Sequence, residues 1–250
     1  CPERVLPGNV IEELINNDRV VGGINKSSTK RAVEFYKTFV KGQVLSTNSE
    51  TAELTKLVEN CYRDLNIAFA NELSMICDGI NVDVWELIQL ANRHPRVDIL
   101  NPGAGVGGHC IAIDPWFVVS DFPEKTKMIS TSRQVNKRKP NWAVEKILSS
   151  ISAQDKVACM GLSYKQDIDD IRESPSIEIA ELLISKIGKE RVLMCEPYLQ
   201  NLEGHKLTST EDALKEADLL IFCVPHSQFR SINKKVLSKK KVLDLCGVTK

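Results

Sequence analysis

The C-terminal third constrains the fold most. Four short apolar runs, at residues 156–161, 192–195, 219–224 and 241–245, are spaced by segments with helical signals. Short continuous apolar runs suit strands that are buried on both faces. Between the first two, Ser174-Pro175 marks a helix start with proline in its first turn, and Gly188 marks its end. A second, short helix is expected at residues 211–216. Strand and helix in alternation predict a parallel sheet with helices on its faces, a Rossmann-like α/β domain over residues 153–250.

Upstream, residues 49–79 carry a long helical pattern. Leu54, Leu57, Val58, Cys61, Leu65, Ala68, Phe69, Leu73 and Ile76 follow the i, i+3, i+4 rule. Such a helix spans roughly 45 Å, a length that suits a bridge between domains or a dimer seam. A second helix is expected at 82–91, a Pro- and Gly-rich loop at 94–110, and two further helices at 125–137 and 140–151. Together they define a central helical region, residues 49–152. The first 48 residues read as strand (18–24), helix (28–41) and strand (44–47). That is the tail of an α/β unit, with too few strands to complete one.

Composition excludes several functions. Thirty-three basic residues balance 33 acidic ones, so the chain offers no electrostatic footprint for nucleic acid or an anionic membrane. No apolar run reaches the length of a membrane span, and no basic, apolar leader is present. A cytoplasmic protein is the expectation. Eight cysteines occur, at 1, 61, 77, 110, 159, 195, 223 and 246, but none forms a Cys-x-x-Cys pair or a zinc-spaced Cys/His group. No metal site is therefore expected. Cys61, Cys77, Cys159, Cys195 and Cys223 read as small buried hydrophobes. His94, His205 and His226 have no partner at useful spacing, and His109 adjoins Cys110 without being a good candidate base.

Three clusters could carry chemistry. In Gly103-Ala-Gly105-Val-Gly107-Gly108-His109-Cys110, the glycines let backbone approach a ligand with N–H groups free for phosphate. Cys110 follows them directly, and Asp114 comes four residues later. A cysteine beside a carboxylate and a nearby cation is a plausible covalent catalyst. The same glycines would also suit a flexible turn with an incidental cysteine. Lys56 and Asn60 share one face of the long helix, where they could stabilise an oxyanion and hold a water, or form a solvated face. Lys165 and Arg172 sit in the segment after the first strand of the last domain, where ligands of open α/β sheets bind. A charged surface loop is the alternative there.

Taken in this order, the clusters resemble the UDP-glucose/GDP-mannose dehydrogenase family along essentially the whole chain. The markers are Cys-Pro-Glu-Arg-Val-Leu-Pro-Gly at 1–8, Glu53 to Asn60, Gly-Val-Gly-Gly-His-Cys at 105–110, and Gly161-Leu-Ser-Tyr-Lys165 through Pro175. His109 resembles the branch that acts on UDP-N-acetylhexosamines. The resemblance implies oxidation of a sugar C6 alcohol to a carboxylate with two NAD+ and one water. Cys110 is then the nucleophile, Lys56 the oxyanion stabiliser and Asn60 a ligand of the sugar. Asp114 and Glu3 would handle protons and water. Arg4, Val5 and Leu6, together with Leu100, Gly103, Gly105 and Gly107, would line the UDP-sugar. Lys165 would hold it, and Arg172 would meet the NAD pyrophosphate. Arg96 would reach the substrate of a second subunit in a homodimer.

Two departures stand out. The family begins with a Gly-x-Gly-x-x-Gly turn after its first strand, and no such turn is found here, the Gly105–Gly108 run belonging to the catalytic loop. The opening Cys1-Pro2-Glu3-Arg4, without Met, then implies that the chain begins inside that first domain and lacks most of an NAD site. Cys246 also falls where the family usually has an arginine. A binding and dimerisation module without turnover is the second functional reading of such a chain. A metal-binding redox module is disfavoured by the cysteine spacing.

Overall fold

The computed structural model describes residues 1–5 and 9–250. They form two compact units, residues 1–62 and 63–250, and the division falls within one long helix.

In the first unit, α1 (Val10–Asn16) precedes β1 (Arg19–Gly23), α2 (Lys26–Tyr36) and β2 (Val44–Asn48). The two strands pair in parallel from Arg19 opposite Val44 to Gly23 opposite Asn48. α2 begins where the Asn25 side chain accepts the Ser28 N–H, an N-cap that settles one of the helix's orphan donors. Helix α1 was not legible in the sequence.

α3 (Ser49–Gly79) has the predicted bounds, but its buried face coincides with the predicted stripe only in part. Its buried positions include Ala52, Cys61, Asp64, Ala68, Asn71 and Cys77, whereas Leu54, Val58, Phe69 and Ile76 are 43–53% exposed. Four of the nine stripe residues face outward, Cys61 and Ala68 face inward as predicted, and the polar Asp64 and Asn71 join them.

In the second unit, α4 (Val84–Ala91) is capped by Asp83, whose carboxylate accepts the N–H groups of Trp85 and Glu86. The glycine loop leads to α5 (Asp114–Asp121), then to α6 (Lys127–Ser150). The sequence predicts two helices here, broken near 138–139. The structure has one, with Pro140 inside it. Proline at this point removes the N–H that would bond the Asn136 carbonyl. The helix continues because Pro140 is buried among its neighbours.

The C-terminal sheet follows the predicted alternation: β3 (Val157–Met160), α7 (Pro175–Ile187), β4 (Val192–Cys195), α8 (Thr210–Glu216), β5 (Leu219–Phe222) and, after two one-turn helices α9 (Ser227–Arg230) and α10 (Lys234–Leu237), β6 (Lys241–Asp244). All pairs are parallel, in the order β4-β3-β5-β6. Alternate strand residues feed two cores. Val157, Cys159, Ile221 and Met194 pack on α6 and α7 through Ile147, Ile179 and Leu183. Ala158, Met160, Leu220 and Phe222 pack on the other face with Ala213 and Phe229. Both faces are covered, which is why the strands read as continuous apolar runs. The order reverses between β3 and β5, so the crevice of this sheet lies at their carboxyl ends.

Candidate active site

The glycine loop hangs from a buried polar ladder between α3 and α6. Asp64 is fully buried and accepts from Arg133 Nη1 at 2.5 Å, from Asn136 Nδ2 at 2.8 Å and from Ser132 Oγ at 3.2 Å. A carboxylate only accepts, so Asn136 must turn its nitrogen toward Asp64 and its oxygen away. That oxygen takes Asn71 Nδ2 at 2.9 Å, and Asn71 Oδ1 takes the Gly103 N–H at 2.8 Å. One ionised group thus fixes two amide orientations and the start of the loop. Upstream, Asn92 clamps Ile99, accepting its N–H at 2.8 Å and donating to its carbonyl at 2.9 Å.

The far end of the loop docks on the segment after β3. The Gly108 N–H donates to the Arg172 carbonyl at 2.9 Å. A Cβ on Gly107 would lie 2.5 Å from the Glu173 carbonyl oxygen and 2.8 Å from Tyr164 Cβ. Gly108 combines φ +86° with contact against the Tyr164 ring. Here glycine is required by close approach and by backbone conformation together. The chain then turns at Cys110, an exposed free thiol. The Cys110 carbonyl accepts the N–H groups of Ile113 and Asp114 at 3.0 and 2.8 Å, which places Asp114 at the first residue of α5.

Arg172 lies beside this turn. It grips Asp170 through Nε, at 3.0 Å from Oδ1, and through Nη2, at 2.5 Å from Oδ2. Those bonds hold the Asp170 carboxyl below its ordinary range. Burial, reinforced by Asp170 and Cys110, pushes the Tyr164 phenol up, while Arg172 opposes them. Lys165 is exposed, and its carbonyl accepts Ser163 Oγ at 2.7 Å. Arg96 is exposed and Leu100 half-buried.

In the first unit, Lys56 and Asn60 stand one turn apart on α3, both half-buried. Arg4 pairs with Glu59. Glu3 accepts from Arg19 Nη1 at 2.8 Å. Burial alone would raise the Glu3 carboxyl, but Arg19 and the Arg4 N–H outweigh it and hold the group low. Val5 is half-buried. Leu6 lies outside the described residues.

The family's central domain matches residues 50–138, its UDP-binding domain residues 158–250 and its NAD-binding domain residues 1–40. The chain belongs to the UDP-glucose/GDP-mannose dehydrogenase family. The UDP-N-acetyl-D-mannosamine dehydrogenase of Campylobacter jejuni is 51% identical over 98% of this chain and 61% of its own length. The NDP-N-acetyl-D-galactosaminuronic acid dehydrogenase of Ralstonia solanacearum is 48% identical over 99% of this chain and 60% of its own length. The structure of UDP-D-ManNAc dehydrogenase from Pyrococcus horikoshii superposes with a TM-score of 0.88 at 35% identity, covering 100% of this chain and 60% of that one. The chain therefore spans 60–61% of the length of these relatives.

Members of the family are NAD-dependent, yet the residues present do not fit a whole dinucleotide. Gly103 to Gly108 has glycine-turn spacing but follows no strand. At the β1–α2 turn, the Gly23 N–H donates to Thr29 Oγ1 at 3.0 Å and the Ser28 N–H to Asn25 Oδ1 at 2.9 Å. Both of these turn N–H groups are engaged internally.

The UDP-binding domain contains a group that sequence reasoning missed. Glu196 directly follows β4 and is buried, and its Oε2 accepts the N–H groups of Leu162 and Ser163 at 2.7 and 2.9 Å. Its Oε1 takes the Tyr198 N–H at 3.0 Å. His226, also fully buried, accepts the Asp167 N–H at Nδ1, 2.9 Å away. Its proton therefore resides on Nε2, which donates to Glu196 Oε2 at 3.0 Å. Burial would raise the Glu196 carboxyl, but the bond from His226 and the two loop N–H groups hold it below its usual value. Asp167, at φ +58°, is fixed from the other side by the Ser227 N–H at 2.9 Å and the Tyr198 hydroxyl at 2.9 Å. Glu196, His226 and Asp167 thus fix the base of the Lys165 loop. The partners lie 30 and 59 residues from His226, so no local spacing could reveal them.

Proposed function

We propose that this chain is the larger part of an NAD-dependent UDP-N-acetyl-D-mannosamine 6-dehydrogenase, with Cys110 as its covalent nucleophile. The observation that carries this reading is the placement of Cys110. It is an exposed thiol at the end of a glycine loop anchored at one end to buried Asp64 and docked at the other on the Lys165–Arg172 segment. Similarity to mannosamine dehydrogenases favours the manno substrate. The neighbouring reading is a UDP-N-acetylglucosamine 6-dehydrogenase.

In this mechanism the C6 alcohol is first oxidised to the aldehyde. The Cys110 thiolate adds to C6, and a thiohemiacetal forms. Loss of a second hydride gives a thioester, and attack by water releases the carboxylate and regenerates the thiol. When bound, NAD would supply the hydride acceptor that both oxidations need. Covalent capture keeps the aldehyde from diffusing away between oxidations. Lys56 would stabilise the oxyanion through its charge in a dry site, with Asn60 beside it on the same helix face. Asp114 and Glu3 would manage protons and the hydrolytic water. Arg4, Val5, Leu6, Leu100, Gly103, Gly105 and Gly107 would line the nucleotide-sugar, Lys165 would hold it, and Arg172 would face the NAD pyrophosphate.

The exposed apolar side chains of α3, Leu54, Val58, Phe69 and Ile76, support a homodimer, in which Arg96 would reach the partner's substrate. The expected compartment is the cytoplasm, and no helix among the described residues is long and apolar enough to cross a membrane. Among the same residues no group of His, Cys, Asp and Glu could hold a metal ion. Acting alone, the 250-residue chain would bind nucleotide-sugar without turnover.

Calorimetric titration with UDP-N-acetylmannosamine and then UDP-N-acetylglucosamine tests the substrate. Tighter binding of the manno epimer supports the reading, and preference for the gluco epimer moves it to the neighbour. In a protein extended by the glycine-turn domain, Cys110→Ser should abolish acid formation and leave UDP-sugar binding largely intact. Substantial uronate from that variant would remove Cys110 from the mechanism. NADH formation by the 250-residue chain alone would overturn its role as a binding module.

A further inference from the structure

A cavity of about 570 Å³ opens in the 63–250 unit where α3, α4, α6 and the carboxyl end of β6 meet. That volume falls in the range of about 300–1,000 Å³ typical of small-molecule sites. Of the residues predicted to bind substrate or carry out catalysis, none lines it.

Lys139 contributes the buried charge of this cavity. Its side chain is 1% exposed, its ammonium bonds to Ser74 Oγ, and it sits 3.7 Å from the centre of the Trp142 ring. No carboxylate among the described residues pairs with it. Burial pulls the Lys139 ammonium down to about 7. A cation this deep is normally matched by an anion, because removing it from water is costly.

The other lining charges do not supply that anion. Asp78 is paired with Lys146, and Asp83 with Lys250. The Asp244 carboxylate is occupied by the N–H groups of Cys246, Gly247, Val248 and Thr249 and by the Thr249 hydroxyl, at 2.7–3.1 Å. Arg230 and Lys234 add positive charge to the wall. Five cationic side chains thus face three acidic ones that are already engaged. Two of the chain's three tryptophans, Trp85 and Trp142, give the cavity aromatic walls.

We propose that this cavity is a binding site for a small organic anion, whose phosphate or carboxylate meets Lys139 and whose planar ring lies against Trp85 and Trp142. The charge of the ligand would complete the ion pair that Lys139 lacks, and the indoles would bury its apolar body. The inference is independent of the chemistry proposed for Cys110.

The test is a titration of the protein with phenyl phosphate, read by tryptophan fluorescence, with inorganic phosphate as the ringless control. Saturable quenching is expected, with phenyl phosphate binding more tightly than inorganic phosphate. A hydrogen bond to a charged group contributes about 1.5–3 kcal/mol, so Lys139→Met should weaken phenyl phosphate binding by about tenfold or more. Lys234→Glu changes an exposed side chain and leaves the fold intact, and it should weaken binding several-fold. Lys165→Ala, outside this cavity, should leave it unchanged. Absence of saturable binding, or equal affinity in Lys139→Met and Lys234→Glu, would overturn the proposal. Loss of binding in Lys165→Ala would overturn it too, by assigning the signal to the nucleotide-sugar site.

Discussion

Replacing Lys139 with methionine should stabilise the protein, by an amount that depends on pH. The lysine is lowered from 10.5 to about 7 by burial. Each pKa unit corresponds to about 1.36 kcal/mol, so the gap of about 3.5 units amounts to about 5 kcal/mol when the native lysine is fully charged. Near pH 7 about half of the native population is neutral, and the penalty is about 4 kcal/mol. The folded pKa of this base lies below its unfolded value, so the unfolded chain binds more protons between pH 7 and 10.5. The destabilisation is complete below pH 7, shrinks as pH rises through this window, and vanishes above it. Methionine keeps the volume and removes the charge. It also loses the contact with Trp142, about 1–2 kcal/mol. Ser74 keeps a partner, since its hydroxyl also donates to the Asn71 carbonyl at 2.6 Å. A net gain of about 2–3 kcal/mol is expected at pH 7, falling by about 1.4 kcal/mol per pH unit above it. Urea unfolding of both proteins at half-unit steps from pH 6 to 9.5 measures the difference, and other titrating groups cancel. A difference that stays constant across that range would refute the reasoning.

Three further outcomes follow from the same geometry. Asp64→Ala leaves Arg133 buried without its carboxylate and should destabilise by about 3–5 kcal/mol in denaturant unfolding; a change below 1 kcal/mol would mean that the ladder is not structural. Gly107→Ala forces a methyl against the Glu173 carbonyl and Tyr164, so it should weaken UDP-sugar binding in calorimetry while leaving the sheet domain's far-UV signal intact. Glu196→Gln replaces one acceptor oxygen with a donor where four N–H groups converge, and a loss of about 1–3 kcal/mol is expected in thermal unfolding.

The last domain was legible because its strands are buried on both faces, so continuous apolar runs, Ser174-Pro175 and Gly188 mark it with little ambiguity. The long helix was equally plain in its bounds, but periodicity could not say which side is inside. The stripe at Leu54, Val58, Phe69 and Ile76 faces out, while α3 buries Asp64 and Asn71, whose partners Arg133 and Asn136 lie 65–72 residues away. Pro140 read as a break because the local rule is strong, and tertiary packing overrode it. The glycine loop was found by composition, whereas the reason for Gly107 lies in Tyr164 and Glu173, which only the folded chain brings near. The unpaired ammonium of Lys139 had no sequence signal at all. A lysine within a helical pattern is ordinarily solvated, and its burial emerges from the meeting of four separate elements.

Glu196 has one more consequence. In a nucleotide-binding sheet of this kind, the N–H groups after the first strand are the usual cradle for phosphate. Here the protein fills that cradle with a carboxylate of its own, held in place by His226. A soluble anion would have to compete with a tethered one, whose effective concentration no ordinary metabolite reaches. Those two N–H groups are closed to phosphate, and a nucleotide held by this domain must meet other donors. Truncating Glu196 to alanine would then create a vacancy that added formate or phosphate could fill, restoring thermal stability in proportion to the concentration supplied.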